Sequence, residues 1–257
     1  MTKLLSSHHI VCHKIYKDAI DEIKRPLTHI INASFSCGIF PDKRKFSKVI
    51  PLHKSGDRKN VSNYRPISIL PAFSKILEKL MCSRLETFLD DKSIIIDNQH
   101  GFRKLCSTSS AIIKLTDHVL KAFDEQKFTI GLFLDFSKAF DTVNHHILLR
   151  KMQHYGIRGI ALRLFQSYLY NRKQMVSYMN AISTPSFLDC SIPQGSILGP
   201  VLFNIYINDI INSVSNLNLI LFADDSCFYA SDPSIQNLIN SVNFDLTNVN
   251  RWLISNK

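Results

Sequence analysis

The chain has 257 residues, of which 45% are hydrophobic and 20% are charged. Such a composition is typical of a globular protein and excludes disordered, collagen-like and low-complexity chains. Lysine and arginine number 31 against 21 aspartates and glutamates, and the resulting net charge of +10 indicates a polyanionic partner, nucleic acid first. No apolar run approaches the roughly 18–20 residues of a membrane span, so we expect no membrane partner. The six cysteines are scattered, which favours a reduced intracellular compartment without distinguishing nucleus from cytoplasm.

The first quarter of the chain combines a predicted helix with a basic, turn-rich segment. Pro26 and Gly38 are placed as helix punctuation, and they predict a helix that opens at Pro26 and closes before Gly38. Residues 42–65 hold eight basic and two acidic side chains, a net charge of +6. Short apolar runs at 48–52 and 67–70 flank a polar turn and predict a β-hairpin. On composition alone, a solvated hairpin and a phosphate-facing hairpin are equally good interpretations.

The rest of the chain alternates helical and β patterns. Apolar side chains at helical spacing over 73–89 and 112–123 predict two helices that face the core. The later predictions are a buried strand at 129–134, a polar helix, a helix over 160–169, a hairpin of 174–179 and 187–192, a helix over about 197–211, a strand pair of 219–223 and 227–230, and a helix over 235–253. This order is typical of an α+β fold, with an antiparallel sheet and helices on one face.

Three aspartates follow the two predicted apolar strands. Asp135 ends the first strand, and Asp224 and Asp225 end the second. Neighbouring carboxylates repel each other unless cations neutralise them, and hard oxygen ligands suit Mg²⁺. Two such ions about 3.5–4 Å apart can support an attack on phosphate. From spacing alone, an Asp pair that stabilises a turn and an Asp that caps a helix are the commoner explanations.

Five sequence motifs favour a catalytic role for these aspartates over the structural explanations. In chain order they are NYRPIS at 63–68, QHGFR at 99–103, LDFSKAFD at 134–141, IPQGSILGP at 192–200 and FADD at 222–225. Together they resemble the reverse transcriptases of non-LTR (LINE-type, jockey-like) retrotransposons, in the order that this family uses and over roughly residues 26–257. The resemblance implies an RNA-directed DNA polymerase with a right-hand palm and fingers. Its partners would be an RNA template, a DNA primer and dNTPs.

The same resemblance assigns roles residue by residue. It implies that Asp135, Asp224 and Asp225 are catalytic and bind two Mg²⁺ ions, with Mn²⁺ as a substitute, and that the Phe136 carbonyl is a further metal ligand. It places Lys54 and Arg65 on the incoming triphosphate, Gln194 and Gly195 beside the new base pair, and Phe140 against the 2′ position of the sugar. QHGFR would contact template or brace the fingers, and we assign no site to it.

The resemblance also sets expectations about domains. It divides the chain into an N-terminal extension at 1–25 and a partial reverse transcriptase domain at 26–257, with fingers over about 26–125 and palm over about 126–257. The chain ends 32 residues after Asp225, so a thumb is expected to be missing and the chain by itself to have little or no polymerase activity. Two alternatives stay open. One is a non-catalytic nucleic-acid-binding remnant. The other is an RNA-directed RNA polymerase, which Phe140 disfavours because such enzymes usually carry a smaller or polar residue there. The oligomeric state is left open.

Overall fold

The structure, a computed structural model, describes residues 2–136, 139–179 and 181–257, with side chains from residue 19 onward. Helices and strands alternate along the chain. In order they are α1 (Thr2–Cys37), β1 (Phe46–His53), β2 (Tyr64–Ile69), α2 (Ala72–Asp91), α3 (Thr108–Asp124), β3 (Phe128–Asp135), α4 (His145–His154), α5 (Gly159–Leu169), β4 (Arg172–Tyr178), β5 (Ala181–Ile182), β6 (Ser186–Leu188), α6 (Gly199–Ile207), β7 (Asn218–Phe222), β8 (Asp225–Asp232) and α7 (Ile235–Ser255). The predicted α+β class is confirmed.

The basic segment forms the predicted hairpin. β1 and β2 pair antiparallel, from Lys48 opposite Ile69 to His53 opposite Tyr64. The hairpin belongs to a larger sheet because β1 also pairs in parallel with β4, and β4 in turn pairs with β5 and β6. The second predicted hairpin is therefore present, although β6 is shorter than expected and Asn180 lies outside the described residues.

The second sheet is antiparallel, with the strand order β3-β8-β7. One face of this sheet packs into the main hydrophobic core through side chains such as Leu219, Leu221 and Phe228. The same core takes buried apolar side chains from α2, α4, α5, α6 and α7. The opposite face carries Ile220, Cys227 and Tyr229, and α3 packs against it. Helices therefore contact both faces of this sheet, not one face as the sequence predicted, because the sheet carries apolar side chains on both.

Two details of the sequence-based prediction are wrong. Pro26 does not open a helix, because α1 begins at Thr2 and runs through it. A proline inside a helix removes one backbone hydrogen bond, a loss that a long helix can tolerate. The apolar stripe of α3 is not core either: Ile112 and Phe123 are 62% and 78% exposed. Of this stripe, Ala122 is buried and Leu115, together with Ala111 beside the stripe, packs against the narrow three-stranded sheet.

The predicted strand at 129–134 exists, but its burial alternates. In β3 the side chains of Leu132 and Leu134 pack on the core, whereas Phe133 is 75% exposed. Alternation is expected for a strand with one buried face. Among the described residues, no helix combines the length and the hydropathy that crossing a membrane requires.

Candidate active site

The β3–β8 ladder brings the predicted carboxylates together. Asp135 is the last residue of β3 and lies directly opposite Asp225, the first residue of β8. Directly opposed residues of antiparallel strands have Cα atoms about 4.5–5.5 Å apart and side chains on the same face. Asp224 occupies the turn between β7 and β8, beside this pair. The cross-strand partner of Asp135 is thus Asp225 rather than Asp224.

The surroundings of Asp224 favour its protonated form. Partial burial raises the pKa of Asp224, and the negative charges of Asp225 and Asp135 raise it further. A hydrogen bond to its own backbone and the positive charge of Arg65 act in the opposite direction. Asp224 therefore experiences two negative charges and one positive charge at this end of the sheet. The positive charge comes from the other sheet, where Arg65 lies opposite Leu52 in the β1–β2 hairpin.

The carboxylates reach open space rather than packed core. A cavity of about 340 Å³ has Asp135 and Asp225 in its wall together with apolar side chains of α3 and of the sheet, among them Leu115 and Phe133. Within the described part of the chain, no three His, Cys, Asp or Glu side chains form a group that could hold a metal ion. The site therefore offers two opposed carboxylates and a third nearby, not a closed cage.

Two predicted ligands have other contacts. The Phe136 carbonyl accepts a hydrogen bond from the Ala139 amide at 3.2 Å, which occupies one of its two lone pairs. Ser137 and Lys138 of the same motif lie outside the described residues. Lys54 follows β1 and is exposed, and its backbone N–H donates to the Asn63 carbonyl at 2.8 Å. The structure places Lys54 at the tip of the basic hairpin and records no interaction of its side chain with the carboxylates.

The loop of Gln194 and Gly195 is joined to the basic hairpin. The Ser68 amide of β2 donates to the Gln194 carbonyl at 2.8 Å. Gly195 has a φ of +108°, and a Cβ there would lie 2.9 Å from the Ser68 carbonyl oxygen. Glycine is required here both for the backbone angle and for the close approach. The Gln194 side chain donates to the Asp141 carboxylate at 3.2 Å, which links the loop to the segment after β3.

Phe140 lies in an aromatic cluster. Its ring stacks on Phe203 of α6 with the centroids 4.7 Å apart and the planes 25° apart. Phe102 meets it edge-on at 6.3 Å. Phe140 and Phe102 remain partly exposed, whereas Phe203 is buried. The ring of Phe140 is therefore packed against aromatic neighbours while part of it stays exposed.

Sequence reasoning missed two supports of this site. Glu78 of α2 is fully buried and accepts hydrogen bonds from the Ile197 amide at 2.9 Å and the Tyr168 hydroxyl at 3.2 Å, so it holds the residue that follows the Gln194 loop. The sequence feature that could have indicated this role of Glu78 is a carboxylate within an otherwise apolar helical stripe. Gln99 and Gly101, which were assigned no site, contact the turn before Asp224 directly. No local pattern marks that contact.

Comparison with known proteins identifies the family of this chain. The family "Reverse transcriptase (RNA-dependent DNA polymerase)" matches residues 52–257, and the chain belongs to it. Similar curated proteins are the probable RNA-directed DNA polymerase from transposon BS of Drosophila melanogaster, 35% identical over 191 residues, and that from its X-element, 31% identical over 225 residues. The RNA-directed DNA polymerase from the mobile element jockey of the same species is 31% identical over 223 residues. The resemblance to jockey-like non-LTR elements is confirmed.

These matches cover most of this chain but little of the relatives. The three alignments span 72%, 86% and 84% of the chain and 20%, 25% and 24% of the respective relatives. Among solved structures, telomerase from Candida albicans, in complex with a fragment of telomeric RNA, has a TM-score of 0.54 at 12% identity and covers 79% of this chain and 41% of its own. This likeness confirms the right-hand polymerase fold.

Proposed function

We propose that this chain carries the nucleotidyl-transfer site of an RNA-directed DNA polymerase, which adds dNTPs to the 3′-hydroxyl of a DNA primer on an RNA template. In this reaction the primer hydroxyl attacks the α-phosphate of the dNTP and pyrophosphate leaves. One observation carries the proposal: Asp135 lies opposite Asp225 at the end of the β3–β8 ladder, with Asp224 in the adjoining turn and the positive charge of Arg65 acting on it.

The donor set fits divalent cations. Mg²⁺ is usually held by one or two carboxylates together with water and substrate phosphates, so the opposed pair Asp135 and Asp225 suffices without a closed group of three. Asp224 would supply a further oxygen, and a cation would offset both the burial and the repulsion from Asp225 and Asp135 that raise its pKa. The chemistry that such ions supply is activation of the attacking hydroxyl and stabilisation of the leaving oxygen. Mn²⁺ would substitute.

The remaining roles follow from the contacts of this chain's own residues. Arg65 presents a planar guanidinium that suits bidentate binding of phosphate oxygens, and its positive charge acts on Asp224. Lys54 would add a point charge from the same hairpin. Gln194 and Gly195 are held against β2 and would lie beside the new base pair. The basic residues of segment 42–65 would contact template and primer phosphates.

The test is single-nucleotide addition to oligo(dT) annealed on poly(rA), with protein in excess so that release and processivity do not matter. The chain is not expected to sustain synthesis by itself, but addition of one nucleotide asks less of it, so we expect a slow, Mg²⁺-dependent extension by one nucleotide. Asp224→Asn should reduce the rate by at least about 100-fold, because loss of a charge at a two-metal site removes several kcal/mol of transition-state stabilisation. Its affinity for the primer–template should be unchanged.

The matched control is Asp232→Asn, which makes the same substitution at the far end of β8. An asparagine there can still accept the hydrogen bond from the Ser234 amide, at 2.7 Å in the wild type, so activity should be unaffected. Salt-dependent binding without any Asp224-dependent extension would favour the non-catalytic alternative. Preferential incorporation of ribonucleotides would favour an RNA polymerase.

A further inference from the structure

The segment around Gln99 runs beside the strand that leads to the aspartate turn. The Leu221 amide of β7 donates to the Asn98 carbonyl at 2.8 Å, and the His100 amide donates to the Leu221 carbonyl at 2.7 Å. The Asn98 side chain adds a bond of 2.6 Å to the Leu219 carbonyl. β7 is therefore paired on both sides, with β8 on one and this segment on the other.

The side chain of Gln99 reaches one step further, into the turn itself. Gln99 is 1% exposed, and its Oε1 accepts hydrogen bonds from the Gly101 amide at 2.7 Å and from the Ala223 amide at 3.1 Å. Its Nε2 has no hydrogen-bond partner among the described residues. Burying the Gln99 amide nitrogen without a hydrogen-bond partner is unfavourable. The two hydrogen bonds that Oε1 accepts therefore explain why a glutamine occupies this buried position.

Ala223 needs such support. Its φ is +58°, a left-handed conformation that is unfavourable for an alanine and persists only where the surroundings impose it. The backbone of Gly101 is pressed against it, since a Cβ on Gly101 would lie 2.1 Å from the Ala223 nitrogen. The Gly101 carbonyl in turn accepts a bond of 3.0 Å from Asn204 of α6. The turn is thus connected to a core helix through Gly101.

We propose that Gln99 is a positioning residue: its side-chain oxygen fixes the Ala223 peptide and thereby directs the carboxylates of Asp224 and Asp225 toward Asp135. This inference rests on the proposed function. Loss of the acceptor would leave the Ala223 N–H buried without a partner and would release the turn into other conformations. The three carboxylates would then be in place in only a fraction of the molecules, so the rate of the chemical step would fall. Nucleotide binding would persist, because in the proposed function it depends on Arg65 and the Gln194 loop.

The experiment compares Gln99→Met, which has a similar shape and no acceptor oxygen, with Asn98→Ala as a matched control. Asn98→Ala also removes one side-chain hydrogen bond to β7, but at Leu219, four residues before the turn. Single-nucleotide addition and amide hydrogen exchange are measured on the whole chain. We expect Gln99→Met to lower the maximal rate about 10- to 100-fold, with the dNTP concentration at half-maximal rate within about 2-fold of wild type. Exchange at residues 223–225 should accelerate by a similar factor.

Three outcomes would overturn the inference. The first is an equal loss of rate in Gln99→Met and Asn98→Ala, since the role of Gln99 would then be stability alone. The second is faster exchange at 223–225 with an unchanged rate. The third is a wild-type chain without Asp224-dependent addition, which would refute the proposed function as well, whereas the first two leave it standing. Should Gln99→Met fail to fold, Gln99→Asn provides the same comparison, because its shorter side chain cannot reach both amides.

Discussion

Phe140 offers the sharpest test of which nucleotide the site accepts. The proposal places its ring where a 2′-hydroxyl of the incoming sugar would project. Because Phe203 stacks on its far side and Phe102 meets its edge, the ring has little room to retreat when a ribonucleotide enters. The perturbation is Phe140→Ala, which removes the ring and leaves the backbone bond between the Phe140 carbonyl and the Ile192 amide available.

The magnitude follows from the packing. Forcing an extra atom into a filled space typically costs about 1–3 kcal/mol. At about 1.4 kcal/mol per tenfold, this corresponds to roughly 5- to 150-fold discrimination against a ribonucleotide. Because Phe203 is only 3% exposed and cannot move aside into solvent, we expect an effect within this range, and Phe140→Ala should raise relative ribonucleotide use by about 10- to 100-fold.

The assay compares addition of UTP and dUTP on poly(rA)/oligo(dT), with the ratio of kcat/KM values as the measured quantity. The ratio is decisive because the ring also packs against the sugar, so total activity is expected to fall as well. Phe123→Ala, at an exposed position of α3, controls for loss of a phenylalanine elsewhere and should leave the ratio unchanged. A ratio that Phe140→Ala does not alter would show that Phe140 only packs. A wild-type preference for UTP would support the RNA polymerase alternative.

Two further predictions concern stability. Gly101→Ala places a Cβ 2.1 Å from the Ala223 nitrogen and should lower the free energy of unfolding by at least about 1–3 kcal/mol. The control is Gly131→Ala, whose new Cβ would meet only the Phe133 ring at 3.7 Å, and its free energy of unfolding should stay within about 0.5 kcal/mol of wild type. Equal urea midpoints for the two variants would refute the close approach of Gly101 to Ala223. Burial raises the pKa of Glu78 above its ordinary value of 4.5, so the folded protein binds the proton more tightly than the unfolded chain. The contribution of Glu78 to stability should therefore decline as the pH rises above about 4.5. The measurement is the unfolding free energy of wild type minus that of Glu78→Gln, which should fall as the pH rises. A difference that stays constant or increases with pH would contradict this prediction.

The elements of this fold that could be predicted are those with a local pattern. The strands before Asp135 and Asp224 are apolar runs that end on a carboxylate, and each is visible in a few consecutive residues. The parallel pairing of β1 with β4 leaves no such trace, because it joins residues more than 120 positions apart. The helical stripe of α3 has the periodicity of a core helix, yet periodicity does not reveal that the sheet beside it is only three strands wide.

The candidate site divides in the same way. Asp135, Asp224 and Asp225 were found from motifs, and the structure brings them to one end of one sheet. The opposition of Asp135 to Asp225, rather than to Asp224, is set by the register of two strands that are separated by residues 136–224 of the chain, which no local motif reveals. The bond from the Ala223 amide to Gln99 spans 124 residues and belongs to no local motif. What sequence alone could not supply is the set of long-range contacts that hold the aspartates in position.

The β3–β8 ladder has a consequence for which length changes the chain can tolerate. It pairs eight consecutive residues, from Phe128 opposite Asp232 to Asp135 opposite Asp225, with alternate side chains on opposite faces. Inserting or deleting a single residue within either strand would turn one aspartate of the opposed pair to the other face, into the apolar core. Loops such as the tip of the β1–β2 hairpin carry no such restriction. Families of related chains should accordingly vary in length at that tip and remain invariant in length from 128 to 135 and from 225 to 232.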